Sequence, residues 1–238
     1  MAKIDVSLIL ACYNEGPTFR DSVNKIMAQL KRLDCQWEVI FVEDKSIDST
    51  KASVEKFARE IKNAKAIYHS RNMGRGKSIT DGFKEARGEI YGFLDVDLEV
   101  SADYIPIFIA EIEKGADMAI GKRFYEGGLK SFSRVVASKA YSLLVGTVLG
   151  VPLEDTEAGY KFFRSTKILP ILAKTKNSGW FWDTEVCARA YFANLKIIEV
   201  PVLFKRMLDK KSTVRLVPDS FNYLKQLIAF RTEILRGK

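Results

Sequence analysis

Four short apolar runs, each followed by a segment of helical length, constrain this chain more than any other feature. Val6 to Ala11, Trp37 to Val42, Lys65 to Tyr68 and Ile90 to Leu94 are rich in β-formers and too short for helices. Between them, a helix is expected from Pro17, suited to a first helical turn, to about Leu33. A second runs from a cap at Asp48-Ser49-Thr50 to about Ile61, and a third from about Lys77 to Ala86, ended by Gly88. This alternation over short connections predicts an α/β chain built on a doubly wound, mostly parallel sheet with helices on both faces. Sheets of that kind take ligands at the carboxyl ends of their strands.

The fourth run ends in Asp95, Asp97 and Glu99. Alternation along an extended backbone would put the three carboxylates on one face. Clustered hard oxygens suit Mg²⁺ or Mn²⁺ bridging to substrate phosphates. The plainer reading is three solvated acids before a helix capped by Ser101. Ahead of them, Arg71 to Ser78 resembles the tail of a phosphate-binding loop, but Arg71 stands where the first glycine is required. Its glycines, Arg75, Lys77 and a helix N-terminus make either an anion-binding surface or a basic solvated loop.

Further on, Ala102 to Glu113 reads as a helix, Asp117 to Ile120 as a strand and Arg134 to Leu149 as a helix with small residues along an apolar body. Those small residues signal close packing or a groove for an apolar substrate. Asp183 or Thr184 caps the next helix, or the neighbouring tryptophans wall a ligand. A strand is expected at Ile197 to Val202. Phe221 to Leu235 closes the chain as an amphipathic helix, packed on the sheet or lying on a membrane surface.

A net charge of +8 favours anionic partners: nucleotides, nucleic acid or lipid headgroups. Cys12, Cys35 and Cys187 form neither a disulfide framework nor a zinc pattern, which fits a reducing compartment. No apolar stretch approaches the ~18 residues of a spanning helix, so a soluble or peripheral chain is expected. No repeat or linker divides it.

Together these pieces resemble the family-2 inverting glycosyltransferases of the GT-A fold, and among them the polyprenyl-phosphate sugar synthases that make dolichol-phosphate mannose and glucose. The resemblance runs from Ser7 to about Thr213. Tyr13-Asn14-Glu15 is similar to the family's first nucleotide-contacting motif, and Glu43 to Thr50 to Asp-Asp-x-Ser-x-Asp-x-Thr. Asn72 to Gly76 resembles Asn-x-Gly-Lys-Gly, and Asp95-Val96-Asp97 resembles the metal-binding Asp-x-Asp. Gly121-Lys122-Arg123, Arg134 and Ser138 resemble phosphate-contacting positions, and Asp155 to Lys161 resembles Asp-Thr-Gln-x-Gly-Phe-Lys. Glu199-Val200-Pro201 with Arg206 and Ser212 resembles the last common motif. Departures are Glu43 for Asp, Arg75 for Lys, and Asp209 to Thr213 in place of a glycine-containing stretch.

The resemblance implies one GT-A domain: residues 1–100 for the nucleotide, 101–215 for the acceptor and 216–238 as the C-terminal helix. It implies a nucleotide diphosphate sugar, from GDP-mannose or UDP-glucose, with Asp44 on the base or ribose side. Tyr13, Glu15, Gly74, Arg75, Val96 and Arg206 would adjoin the donor. Asp97 with Asp95 or Glu99 would hold the metal, while Arg123 and Arg134 would face phosphates. A polyprenyl phosphate acceptor carries an ionised nucleophile and needs no base, whereas for a sugar hydroxyl Asp155 or Asp183 is the candidate base. The place implied is the cytoplasmic face of a membrane, peripherally bound, with room for a membrane-anchoring partner protein and no nucleic acid. Rivals are a hydroxyl-directed glycosyltransferase and a non-catalytic nucleotide-sugar or nucleic-acid binding protein.

Overall fold

A computed structural model describes residues 3–125, 129–205 and 216–236 of the chain. Seven strands form one sheet: β1 (Val6–Cys12), β2 (Trp37–Glu43), β3 (Ala64–Tyr68), β4 (Ile90–Leu94), β5 (Met118–Tyr125), β6 (Tyr160–Arg164) and β7 (Ile197–Phe204). Their order across the sheet is β3-β2-β1-β4-β6-β5-β7. The strands β1 to β4 run parallel, β6 is antiparallel to both its neighbours, and β5 and β7 pair in parallel at the far edge.

The helices are α1 (Phe19–Leu30), α2 (Thr50–Glu60), α3 (Arg75–Glu85), α4 (Ile105–Glu113), α5 (Leu129–Leu149), α6 (Ser165–Leu172), α7 (Trp182–Phe192) and α8 (Leu216–Arg236). On α1, Phe19, Val23, Ile26, Met27 and Leu30 recur at helical spacing and are buried. The strands are apolar on both faces, as a covered parallel sheet requires. From β1, Val6, Leu8 and Leu10 enter one layer and Ile9 the other, and β2 divides Val39 and Phe41 from Ile40 and Val42 in the same way. Helices α1, α2 and α4 cover the first layer, and α3, α6 and α7 the second. Each large side chain sealed in this way contributes roughly 1.5–3 kcal/mol. A third cluster joins Val145 and Leu149 of α5 to Leu227 and Phe230 of α8, over Phe181 and Ala188.

The chain leaves β1 for β2 and β3 on one side, then returns through α3 to place β4 on the other. This reversal falls between β1 and β4, and sheets of this kind bind ligands at the carboxyl ends of the strands beside such a switch point.

Several elements differ from the sequence expectation. The strand β4 ends at Leu94, and Asp95 to Leu98 form a turn, with the Leu98 N–H donating to the Asp95 carbonyl at 3.2 Å. Leu98 sits at φ 54°, so the acids are not on an extended face. The run Tyr160–Arg164, given no element from sequence, is the strand that joins the two halves of the sheet. The expected Asp117 to Ile120 strand continues to Tyr125, because all eight residues of β5 pair with β7. Helix α3 begins at Arg75, two residues before the expected Lys77, and ends at Glu85 as expected, while the Gly88 N–H donates to Ser7 Oγ. Phe181, and not Asp183 or Thr184, occupies the N-cap of α7.

Candidate active site

The loops after β1 and β2 are sewn together. Asn14 N–H donates to Ser46 Oγ at 3.1 Å, Glu15 N–H to Thr50 Oγ1 at 2.8 Å, and Gly16 N–H to Asp48 Oδ2 at 3.0 Å. Asn14 Oδ1 accepts from the Ile47 N–H at 2.9 Å. Asp48 Oδ1 accepts from the Thr50 N–H, so α2 begins on an Asx turn. Tyr13 stands on this platform, 38% exposed. Beneath it Asp44 is buried, its carboxylate accepting from His69 Nδ1 at 2.7 Å, Met73 N–H at 2.7 Å and Gly74 N–H at 2.9 Å. Asp44 therefore fixes the loop that leads into α3.

That loop delivers Arg75 to the acidic turn. Arg75 Nε donates to Asp95 Oδ1 at 2.8 Å, and Nη1 to Asp183 Oδ2 at 2.5 Å. Burial alone would lower the Arg75 pKa, but Asp183 and Asp95 more than offset it and raise it. Asp183 also accepts from Lys161 Nζ at 2.6 Å, and the Lys161 side chain is fully buried. A Lys161 ammonium out of water is sustainable only with such a partner. The Asp95 N–H donates to the Gly159 carbonyl at 2.9 Å. A Cβ on Gly159 would overlap Asp95 Oδ2 and press on Arg75 Nη2 at 2.6 Å, so this crossing demands glycine. The Asp95 carboxyl titrates above its ordinary range, because surrounding protein displaces water and Asp97 and Asp183 repel its charge against the pull of Arg75.

A second pairing lies where β5 meets the loop before β6. Arg123 grips Asp155 through Nε at 2.7 Å and Nη2 at 2.8 Å, and its own N–H adds a third bond to Asp155 Oδ2. Glu199 Oε1 holds that loop by accepting from the Glu154 and Asp155 N–H groups at 2.8 and 3.2 Å. Glu157 follows, 36% exposed in its side chain, with Arg123 Nη2 4.0 Å from its Oε2. Its carboxyl is pushed up to about 7, first by burial and then by Asp155 and Asp183, against the pull of Arg123 and Lys161. Thr184 joins Thr156, Tyr141 of α5 and Tyr223 of α8 in one hydroxyl cluster below.

Two coupled clusters of cation and carboxylate thus sit at the carboxyl edge of a parallel sheet. Residues 7–166 match the glycosyl transferase family 2 model. The chain belongs to glycosyl transferase family 2. Its GT-A fold is shared with glucosyl-3-phosphoglycerate synthase from Mycobacterium tuberculosis, solved with Mn²⁺, UDP and glucosyl-3-phosphoglycerate. The TM-score is 0.70 at 17% identity, covering 95% of this chain and 78% of that one. Among curated relatives, glycosyltransferase AglD of Haloferax volcanii is 28% identical over 95% of this chain and 37% of its own length. The dolichyl-phosphate beta-glucosyltransferase of Saccharomyces cerevisiae is 26% identical over 99% of this chain and 76% of its own. The dolichol-phosphate mannosyltransferase of Pyrococcus furiosus is 28% identical over 84% and 56%. The chain thus spans little more than a third of AglD and about half of the Pyrococcus protein.

Most of the site residues expected of a family 2 chain gather at this edge. Val96 does so with its side chain in the core, leaving only its backbone for a ligand. Arg75 and Gly74 turn inward: a Cβ on Gly74 would meet Ser178 O at 2.7 Å, and the Lys77 N–H donates to that same carbonyl. Lys77 itself pairs with Asp81, so this loop is braced by protein and is not the solvated basic loop of the plainer reading. Arg134 lies in α5 with its side chain outside the described residues, and Arg206, Asp209, Ser212 and Thr213 lie outside them altogether. Among the described residues no three Asp, Glu, His or Cys side chains form a ready metal cage. Asp95, partly exposed on the turn, fits an ion that takes one or two carboxylates and completes its shell with phosphate and water. Lys161, Glu157 and Glu199 fall within family-like motifs of the sequence with no role attached to them, and His69 falls in none. A lysine inside the run Tyr160 to Phe163 was the available signal for the first.

Proposed function

We propose that this glycosyltransferase moves one hexose, with inversion, from a nucleotide diphosphate sugar to a polyprenyl phosphate. The observation that carries the choice of acceptor is the state of its two candidate bases. Asp155 is held bidentately by Arg123, and Asp183 lies between Arg75 and Lys161. All four oxygens of these two carboxylates already accept hydrogen bonds from cationic side chains. A phosphate monoester needs no base, because its nucleophilic oxygen is already ionised. The yeast and Pyrococcus relatives, named for dolichyl phosphate, support the same reading.

In this reading the nucleotide lies over the Tyr13 platform and its diphosphate reaches the turn at Asp95. Asp97 with Asp95 or Glu99 would hold Mg²⁺ or Mn²⁺, which when bound offsets charge on the departing nucleotide. Arg75 keeps Asp95 in place, and Asp183 keeps Arg75 in place. Arg123 presents the guanidinium N–H groups that Asp155 leaves unused to the acceptor phosphate. The family resemblance would add Arg134 and Arg206 to the cations that meet these phosphates.

Membrane attachment at the cytoplasmic face is part of the proposal. No helix among the described residues is long and apolar enough to cross a membrane. Helix α8 buries Leu227 and Phe230 yet exposes Leu224, Ile228 and Leu235, and α5 exposes Leu143. These outer apolar residues suit an interfacial helix pair.

One observation favours a hydroxyl acceptor instead. Glu157, near neutrality and without a hydrogen-bond partner among the described residues, has the pKa of a general base. Incubation with GDP- and UDP-hexoses, Mg²⁺ or Mn²⁺, polyprenyl phosphate and an oligosaccharide bearing only hydroxyl acceptors tests the two: lipid-linked hexose supports the first, sugar on the oligosaccharide alone the second.

A further inference from the structure

We propose that Glu157 sets the charge of the acceptor pocket, and must carry its proton for an anionic acceptor to dock beside Arg123. This rests on the phosphate-acceptor reading above. Arg123 has five guanidinium N–H donors, and Asp155 takes two of them. Glu157 lies 4.0 Å from the same guanidinium and competes for what remains. Unlike Asp155 and Asp183 it makes no hydrogen bond among the described residues, and over a third of its side chain meets solvent. It is therefore open both to protons and to a ligand.

Charge balance gives the sign. Around Glu157 stand Arg123 from β5, Lys161 from β6, Asp183 from α7 and Asp155 from its own loop. Tyr141 from α5 and Tyr223 from α8 face it as well, both held far above the ordinary phenol range by burial, so both stay neutral. Of these, Arg123 and Lys161 are matched by Asp155 and Asp183. With Glu157 protonated the cluster is neutral, and Arg123 can receive an anion. With Glu157 ionised a surplus negative charge faces the incoming phosphate at close range, where like charges repel most. The carboxyl pushed up to about 7 places that change inside the neutral range.

The test is calorimetric titration of the full chain with farnesyl phosphate at pH 6 and pH 8, comparing the parent with E157Q and E157M, which cannot ionise. The variants' own pH ratio removes the second ionisation of the probe. Relative to them, the parent is expected to bind about tenfold more weakly at pH 8 than at pH 6, as titration near 7 requires. Equal pH ratios in all three proteins overturn the proposal. Loss of turnover in E157Q with KM unchanged also overturns it, by making Glu157 a proton acceptor. If no protein binds the probe at either pH, the phosphate-acceptor reading falls, and the proposal with it.

Discussion

Arg75 Nη1 lies 2.5 Å from Asp183 Oδ2, joining residues 108 positions apart in sequence. Asp183 spends its other oxygen on the buried ammonium of Lys161, and Arg75 spends its other edge on Asp95. One carboxylate thus braces the acidic turn from behind. Such a chain contributes positioning more than stability, since desolvating four charges consumes most of what their attraction returns.

Removing its centre should be costly. Asp183→Asn leaves Lys161 and Arg75 facing one another with no buried anion between them. Denaturant unfolding should show a loss of about 3 kcal/mol, and replacing Lys161 by Met in the same chain should recover much of it. A stability unchanged in D183N would contradict the burial of a charged Lys161.

Gly159→Ala should separate activity from folding. The added methyl displaces the Asp95 carboxylate and crowds Arg75 Nη2. Thermal unfolding is expected to change little, while kcat/KM for donor transfer falls about a hundredfold, the usual effect of a displacement of roughly 1 Å at a reacting centre.

Metal binding checks the turn itself. Asp97→Asn should weaken Mn²⁺ binding in the presence of nucleoside diphosphate by at least about tenfold, read by electron paramagnetic resonance. The fold should persist, because Asp97 is partly exposed. Unaltered Mn²⁺ affinity in D97N would remove the turn from the metal site.

Glu157 makes stability depend on pH in a definite direction. Its folded pKa, about 7, lies above the ordinary 4.5, so the folded state binds the proton more tightly. Its contribution is therefore complete below pH 4.5 and lost as pH rises through 7. The parent should lose stability relative to E157Q across that window. A constant difference would mean that Glu157 titrates normally.

The alternation of apolar runs and helices made the sheet and its ligand edge legible, because strands covered on both faces read as short continuous apolar runs. The turn at Asp95 was not. Leu94, Val96 and Leu98 alternate with acids as a strand would, yet here Val96 drops into the core while the backbone reverses at Leu98. Strand β6 was hidden for a related reason: Lys161 interrupts its apolar run, and the carboxylate that pairs with this lysine, Asp183, is distant in sequence. Asp183 itself has the local look of a helix cap, and nothing near it reveals the ion pairs that bury it. Motif order located the site, whereas the pairing of its charges depended on contacts between elements far apart in the chain.

The central claim is that the sugar passes to a lipid phosphate. Its most direct test is product mass after incubation of the purified chain with polyprenyl phosphate, an oligosaccharide bearing only hydroxyl acceptors, GDP- or UDP-hexoses and a divalent ion. Polyprenyl phosphate heavier by one hexose, from one donor of the panel, is the expected product, with D155N and D183N altering rate through KM or folding. Hexose found only on a hydroxyl acceptor, with the polyprenyl phosphate unchanged, would contradict it.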